Sequence, residues 1–398
     1  MRKVLITCTM LLAAATAMYA QKSNVNKAKW ALVSAKQNPA QINYEKVDEA
    51  WELIQPTLTS PETCNEPEPW KYAGDVLALR MNKMLIERQN TGEMDENAFF
   101  ENQYYLVTYY SKCDSLEHTP TAKGKPRKIE FHQLNSQAAK GPRTNLLIAG
   151  SNLYSTAPDQ CIRYLNLYLN TLKDSLFHEF DLEKTDTMVN DAKFIMASAY
   201  MEKQDTAKAL PYLMESIDSK SYGMNAVFTL AEIYKGKDEA KYIEYLEKGF
   251  EKYPKQKAFY KNLFNAYTKD KKVDQAIAVL DKVTKLDPTD DWAYYYKAAT
   301  YYNANNLVKA KDAFIETTKV NPDYAEAYQG AGTCAWKLAQ DSKDKAKQKA
   351  YYAEAIQLLK KCQEVAPDQP ELWGYALYAV YNNSGDLTNS AKYKKYSK

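Results

Sequence analysis

The sequence predicts an all-α fold built from stacked helical hairpins. The first observation is a fixed period, because Pro254, Pro288 and Pro322 are each 34 residues apart in a chain of 398 residues. The second observation is that aromatic and small residues recur in the same order between these prolines. A period of about 20 to 50 residues is typical of solenoids, in which each repeat buries its apolar face against its neighbours.

Each recurring position has a physical explanation. Tyr260 and Tyr267 are seven residues apart, so they lie on one stripe of a first helix. Ala276 lets a second helix approach closely, and Leu280 fills the next layer. Pro288 lacks an N–H and stands where the second helix has ended. The next unit repeats these residue types at Tyr294, Ala298, Tyr301, Ala310, Phe314 and Pro322.

This order of residues resembles the tetratricopeptide repeat family, in which an aromatic residue, Leu, a small residue, Tyr, Ala, Phe and a closing Pro recur. We expect a tetratricopeptide-like helical-hairpin solenoid (an α-α superhelix), with repeats over residues 191–398 and a C-terminal cap from Asn382. Pro322 and Pro367 are 45 residues apart, 11 more than the period. The surplus falls in the polar run 341–349, which a solenoid places in a loop or in lengthened helices.

The N-terminal half carries the pattern weakly. Residues 21–118 are predicted to form divergent helical hairpins, since Trp70 and Gly74 keep the aromatic-to-small spacing, and residues 144–190 a divergent helical repeat. Residues 119–143 contain six basic residues, two glycines and three prolines. That composition predicts a basic linker or irregular connection, and we place a domain boundary there.

The first 20 residues have the layout of a secretory signal peptide. Arg2 and Lys3 precede an apolar run from Val4 to Ala17, followed by small residues up to Ala20. We expect cleavage after Ala20, or alternatively after Ala17. A lipid anchor on Cys8 is disfavoured, because only three apolar residues precede it. The chain therefore resembles an exported bacterial tetratricopeptide repeat protein.

The charge balance disfavours a nucleic-acid partner. Loss of Arg2 and Lys3 with the leader reduces 53 basic residues to 51, against 50 acidic residues, a formal net charge of +1. Such a chain has no electrostatic footprint for nucleic acid. No second apolar run approaches the length of a membrane span, so we expect no integral span after cleavage and a periplasmic location.

The cysteines do not form a disulfide framework. Five remain after Cys8, an odd and scattered set, so at least one thiol is free or pairs with another molecule. Cys334 and Cys362 fall on the paired helices of one repeat. They form either a disulfide, which requires an unusually close helix approach, or two buried thiols that pack as small apolar groups.

No catalytic signature is present in the sequence. The three histidines, His118, His132 and His178, lie too far apart in sequence for a helical zinc pair. The chain also lacks a Gly-x-Ser-x-Gly elbow, a Gly-rich phosphate loop and a CxxC pair. We therefore expect a non-enzyme with no catalytic residue, metal site or cofactor.

The tetratricopeptide resemblance implies that first helices line a concave groove. Tyrosine is abundant, with 33 residues in 398, and aromatic side chains offer large contact area at low entropic cost. Each of these side chains has an alternative role in an aromatic-rich core. The predicted groove residues are Lys261, Asn265, Trp292, Tyr295, Tyr302, Trp336, Tyr378 and Tyr381.

The groove does not match a clamp for acidic C-termini. Lys261 and Asn265 match the opening pair of the chaperone-binding tetratricopeptide clamp, but Tyr296, Glu326 and Gly330 stand at later positions of that clamp. An aromatic, mildly polar groove suits an extended peptide or an amphipathic helix. The first hypothesis is an exported scaffold that binds another protein or peptide within a cell-envelope complex. The alternative is a glycan or small-ligand binding protein that uses the same aromatics.

The signal-peptide assignment predicts a defined mature N-terminus. Intact mass spectrometry of the protein from its native envelope should give a chain that starts at Gln21 or, with the alternative cleavage, at Met18. A chain that starts at Met1, or a diacylated Cys8, would contradict export by this route.

Overall fold

A computed structural model describes residues 21–38 and 41–397 of the chain. The predicted signal peptide at residues 1–20 lies outside the described residues. Throughout the described part the secondary structure is helical, with no strand. The predicted all-α class is confirmed, and helical hairpins follow one another along the chain.

The chain forms two compact units that divide between Ala226 and Val227, inside one helix. We number the helices α1 to α19 along the chain. The first ten are α1 (residues 21–35), α2 (Tyr44–Ile54), α3 (Pro67–Thr91), α4 (Glu96–Glu117), α5 (His132–Leu153), α6 (Pro158–Asn170), α7 (Leu182–Thr185), α8 (Val189–Glu202), α9 (Thr206–Glu215) and α10 (Gly223–Tyr234). The others are α11 (Glu239–Lys252), α12 (Lys257–Lys269), α13 (Val273–Leu286), α14 (Asp291–Asn303), α15 (Leu307–Val320), α16 (Ala325–Asp341), α17 (Lys345–Val365), α18 (Pro370–Ser384) and α19 (Leu387–Lys392).

The turn inside each hairpin repeats with the sequence. Lys271 and Asn305, which are 34 residues apart, both have φ of 58°, a left-handed conformation that ends the first helix. The following N–H then donates to a tyrosine carbonyl five residues back, from Lys272 to Tyr267 and from Asn306 to Tyr301, at 2.8 Å in both cases. The carbonyl of the recurring tyrosine therefore accepts the hydrogen bond that closes the turn between the first and second helices.

The surplus residues lengthen one hairpin. Helices α14 and α15 have 13 and 14 residues, whereas α16 and α17 have 17 and 21. Both pairs are joined by three residues, 304–306 and 342–344. The 11 additional residues therefore extend both helices, by four and by seven residues, and the connecting loop keeps its length. We call residues 338–351 the hairpin tip.

The predicted irregular connection is shorter than expected. Residues 119–131 are irregular, but residues 132–143 belong to α5, so the prediction is wrong for that part. Burial of Arg143 and Leu146 on α5 outweighs the helix-breaking tendency of Pro142. The connection is fixed at its end, because the buried Glu117 carboxylate accepts from the N–H groups of Glu130 and Phe131 at 2.6 and 2.8 Å.

No domain boundary falls at this connection. Helix α4 packs along α5 on the far side of it, and both belong to the first compact unit. The basic residues that indicated a linker are partly used in contacts. Arg127 pairs with the carboxylate of Glu66 and also donates to the Asn65 carbonyl at 3.1 Å.

The C-terminal cap packs aromatic rings against the last repeat. Helix α19 and the turn at Lys394–Tyr396 follow α18. The ring of Trp373 meets those of Tyr393 and Tyr396 edge-on, at 6.3 and 5.2 Å between centroids. A side chain at Gly374 would place its Cβ 2.7 Å from the Tyr396 ring. The segment predicted as a polar cap therefore contributes apolar rings to its inner face.

Cys334 and Cys362 are buried free thiols. They pack into different clusters, Cys334 with Phe314 and Cys362 with Trp373. Burial raises the pKa of the Cys334 thiol to about 12 and that of Cys362 to about 11. Of the two alternatives, a disulfide or two buried thiols, the structure contains the buried thiols.

Close packing at Gly249 gives a stability prediction. A Cβ there would lie 2.2 Å from the ring of Phe259, which is 1% exposed. Gly249→Ala should therefore lower the free energy of unfolding by about 1–3 kcal/mol through overpacking. In a Phe259→Leu background the same change should cost much less, because the ring is gone. Urea denaturation of the four proteins measures this coupling, and equal costs in both backgrounds would contradict the packing explanation.

Candidate binding surface on the first helices of the second unit

The predicted groove residues all lie on the first helices of successive hairpins in the second unit. We call the side of α12, α14, α16 and α18 that carries them the first-helix surface. On α12, Asn265 is exposed and Lys261 is half-buried. The other six predicted residues differ in how much of each ring is free, as the following contacts show.

Trp292 is the centre of an aromatic cluster that joins α12 to α14. Its ring lies 4.6 Å from Tyr296 on its own helix and 5.7 and 5.6 Å from Tyr260 and Phe264 on α12. The ammonium of Lys261 lies 4.7 Å from the indole centroid, an arrangement that contributes about 0.5–1 kcal/mol at an exposed site. Trp292 is half-buried, so it is a packing residue as well as a candidate contact.

A buried carboxylate fixes the N-terminal end of this cluster. Asp290 is 6% exposed, accepts from the hydroxyl of Tyr260 at 2.7 Å and also caps α14 through the N–H of Ala293 at 3.0 Å. Burial, followed by the bond to Asp290, raises the pKa of the Tyr260 hydroxyl above its ordinary value. The phenol is therefore held as a neutral donor, and the start of α14 is fixed against α12.

Tyr295 faces the next hairpin. Its ring stacks on that of Tyr324 at 4.9 Å and meets Phe314 edge-on at 5.6 Å. Burial raises the pKa of both hydroxyls, that of Tyr324 to about 12. Tyr295 is half-buried in this stack, so most of its surface contributes to packing between hairpins.

Tyr302 pairs with a lysine from the next first helix. The Nζ of Lys337 donates to the hydroxyl of Tyr302 at 2.6 Å and lies 4.5 Å from the ring centroid. Lys337 is exposed and Tyr302 is half-buried. The pair links α14 to α16 along the first-helix surface and brings a positive charge there.

Trp336 and Tyr375 form an aromatic pair in which one ring is exposed. Their rings meet edge-on at 6.5 Å across α16 and α18, and Tyr375 is 56% exposed. The indole N–H of Trp336 is buried and has no acceptor within the described residues. Tyr378 lies one turn beyond Tyr375 and is half-buried.

Tyr381 lies in the core, which differs from its predicted position. It is 4% exposed and stacks on the ring of Tyr393 at 5.9 Å. The reason is the C-terminal cap, whose Tyr393 ring covers that of Tyr381. Tyr381 is therefore not part of the first-helix surface.

Sequence reasoning missed two exposed rings. Tyr296 is 36% exposed beside Trp292, and Tyr375 is 56% exposed beside Trp336. A helical-periodicity signal was present for both, since Tyr296 is four residues after Trp292 and Tyr375 three before Tyr378. Their exposure depends on neighbouring hairpins, which only the tertiary structure shows.

The described residues contain no group of three or more His, Cys, Asp or Glu side chains arranged to hold a metal ion. Within the same part of the chain, no helix combines the length and apolar character needed to cross a membrane.

A family profile described as "Tetratricopeptide repeat" matches residues 267–333. This stretch consists of tetratricopeptide repeats. It runs from the end of α12 to the middle of α16 and so includes Trp292, Tyr295, Tyr296 and Tyr302. Among curated proteins there is no match to the chain.

Several solved structures show likeness at low identity. MamA is 20% identical, with a TM-score of 0.32 over 44% of this chain and 97% of that one. YrrB, described as a TPR protein with an unusual peptide-binding site, is 18% identical, with a TM-score of 0.33 over 50% of this chain and 96% of that one. PilW, described as a type IV pilus biogenesis factor, is 19% identical, with a TM-score of 0.31 over 52% of this chain and 91% of that one.

The contacts predict that Trp292 contributes to stability and that the exposed ring of Tyr375 does not. Trp292→Ala should lower the free energy of unfolding by about 2 kcal/mol, because three ring contacts and a lysine contact are lost from a half-buried site. Tyr375→Ala should change it by less than about 0.5 kcal/mol, as exposed substitutions do. Chemical denaturation of the two variants tests this. Equal destabilisation by both would show that Tyr375 also supports the fold.

Proposed function

We propose that this chain is an exported, non-catalytic scaffold that binds another protein or peptide on its first-helix surface, within a cell-envelope complex. The observation that carries the proposal is the pair of exposed rings at Tyr296 and Tyr375, each in contact with the ring of a tryptophan. Rigid aromatic side chains of this kind are favoured anchors in protein interfaces.

The unpaired indole N–H of Trp336 supports a peptide ligand. A buried donor without an acceptor costs about 1–3 kcal/mol. A backbone carbonyl from an extended peptide beside Tyr375 would recover part of that free energy once the indole turns toward it. Peptide backbones supply such acceptors at every residue, whatever the sequence.

Lysine ammonium groups lie over two of the predicted rings, which disfavours a ligand that would stack on those ring faces. The ammonium groups of Lys261 and Lys337 lie over Trp292 and Tyr302, at 4.7 and 4.5 Å from the ring centroids. Those ring faces are therefore already occupied by cations. What stays open is the exposed area of Tyr296 and Tyr375, which suits the side chains of a bound peptide.

Peptide selection tests this proposal. A random displayed library is selected on the purified protein, and one selected peptide is measured by fluorescence anisotropy. Tyr375→Ala should weaken its binding by about tenfold or more, as loss of an aromatic anchor does. Tyr105→Ala, at a ring in the first unit that is 39% exposed, is the matched control and should leave the affinity unchanged.

Three outcomes would contradict the proposal. The library gives no binder, or Tyr375→Ala leaves the selected peptide bound as before, or a glycan array on the same protein gives ligands whose binding depends on Tyr375. The last result would support the glycan-binding alternative.

A further inference from the structure

The hairpin tip extends beyond the helices of the preceding hairpin. Its four additional residues on α16 and seven on α17 correspond to about 6 and 10 Å of helix at 1.5 Å per residue. The first-helix surface does not need this extension, because the neighbouring hairpin packs without it. The tip is therefore a separate feature with a surface of its own.

Unpaired positive charge is concentrated on the tip. Four lysines lie within residues 343–349, and Asp341 and Asp344 are the acidic residues beside them. Some lysines elsewhere in the second unit form ion pairs along their own helices, for example Lys248 with Glu244 at 2.7 Å and Lys319 with Glu316 at 2.6 Å. No ion pair is formed by the tip lysines among the described residues, and all four are exposed: Lys343, Lys345, Lys347 and Lys349.

This arrangement opposes helix stability. Lys345 and Lys347 stand at the beginning of α17, where no acidic residue occupies the first turn. The helix dipole places partial positive charge at that end, so cations there are unfavourable. The carboxylate of Asp344, the N-cap residue, is used to cap the N–H groups of Ala346 and Lys347 at 2.8 and 3.2 Å. Helix stability therefore does not explain why Lys345 and Lys347 are placed here.

The tip is held in a defined conformation. Gln348 donates through its side-chain amide to the carbonyl of Ala339 at 3.2 Å, which ties α17 to α16. Ser342 donates to the carbonyl of Asp344 at 3.2 Å across the loop. The lysines therefore project from a preorganised base, which lowers the entropic cost of binding.

We infer that the hairpin tip is a docking surface for an acidic segment of a partner protein. Carboxylates complement the four tip lysines. The two acidic residues of the tip, Asp341 and Asp344, are too few to neutralise all four. A lipid surface is disfavoured, since the residues between the lysines are Asp344, Ala346 and Gln348, none of which has a large apolar side chain to insert. This surface is distinct from the one in the proposed function, so either can fail without the other.

A decaglutamate peptide with a fluorescent label is the probe. The tip variant carries Lys→Gln at positions 343, 345, 347 and 349. The control variant carries Lys→Gln at four exposed lysines of the same unit outside the tip, Lys237, Lys255, Lys285 and Lys360. Both variants lose the same formal charge, so only the location of that charge differs.

The tip variant should bind decaglutamate about tenfold more weakly at low salt, and the control variant within about twofold of the unsubstituted protein. Binding by the unsubstituted protein should weaken between 50 and 500 mM salt, as screened charge contacts do. The melting temperature of the tip variant should not fall, because the lost lysines opposed the α17 dipole. Tyr375→Ala should keep full affinity for the probe.

The inference is overturned if the unsubstituted protein does not bind decaglutamate, or if the two lysine variants lose affinity equally. It is also overturned if the tip variant loses binding to phosphatidylglycerol vesicles or to a single-stranded oligonucleotide but keeps the decaglutamate affinity. A loss of affinity in Tyr375→Ala would place the acidic peptide on the first-helix surface instead.

Discussion

Close approach between helices, at positions where a side chain would not fit, is the constraint on which the stacked hairpins depend. A Cβ at Gly249 would lie 2.2 Å from the ring of Phe259, and one at Gly330 would lie 2.7 Å from that of Phe314. The same holds in the first unit, where a Cβ at Gly74 would lie 2.2 Å from Tyr110. Large rings pack directly against glycines, which have no side chain, and this close packing sets the register between neighbouring helices.

That register decides which aromatic rings are available to a partner. Tyr295 is drawn into the stack with Tyr324, and Tyr381 is covered by the C-terminal turn through Tyr393. Tyr296 and Tyr375 point out of the same packing and stay exposed. The tyrosine-rich composition therefore serves packing first, and the proposed binding surface consists of the rings that packing leaves free.

Helix length separates the two proposed surfaces. The period of 34 residues fixes the spacing of the first helices, which present the aromatic rings. The 11 surplus residues fall within one hairpin and extend α16 and α17. An insertion that lengthens both helices of one hairpin beyond the repeat keeps the core intact. The tip can therefore carry a charge pattern that opposes the α17 dipole.

The sequence by itself determined the repeat, because its period and the spacing of aromatic, small and proline residues are local properties of the chain. It also determined which helices carry the candidate surface and placed Trp292 and Trp336 on it. It failed at residues 132–143, where burial of Arg143 and Leu146 overrides the helix-breaking Pro142. Only the tertiary structure decided that Tyr381 is buried, that Tyr296 and Tyr375 are exposed, and that the surplus residues lengthen helices, since each depends on what a neighbouring hairpin covers.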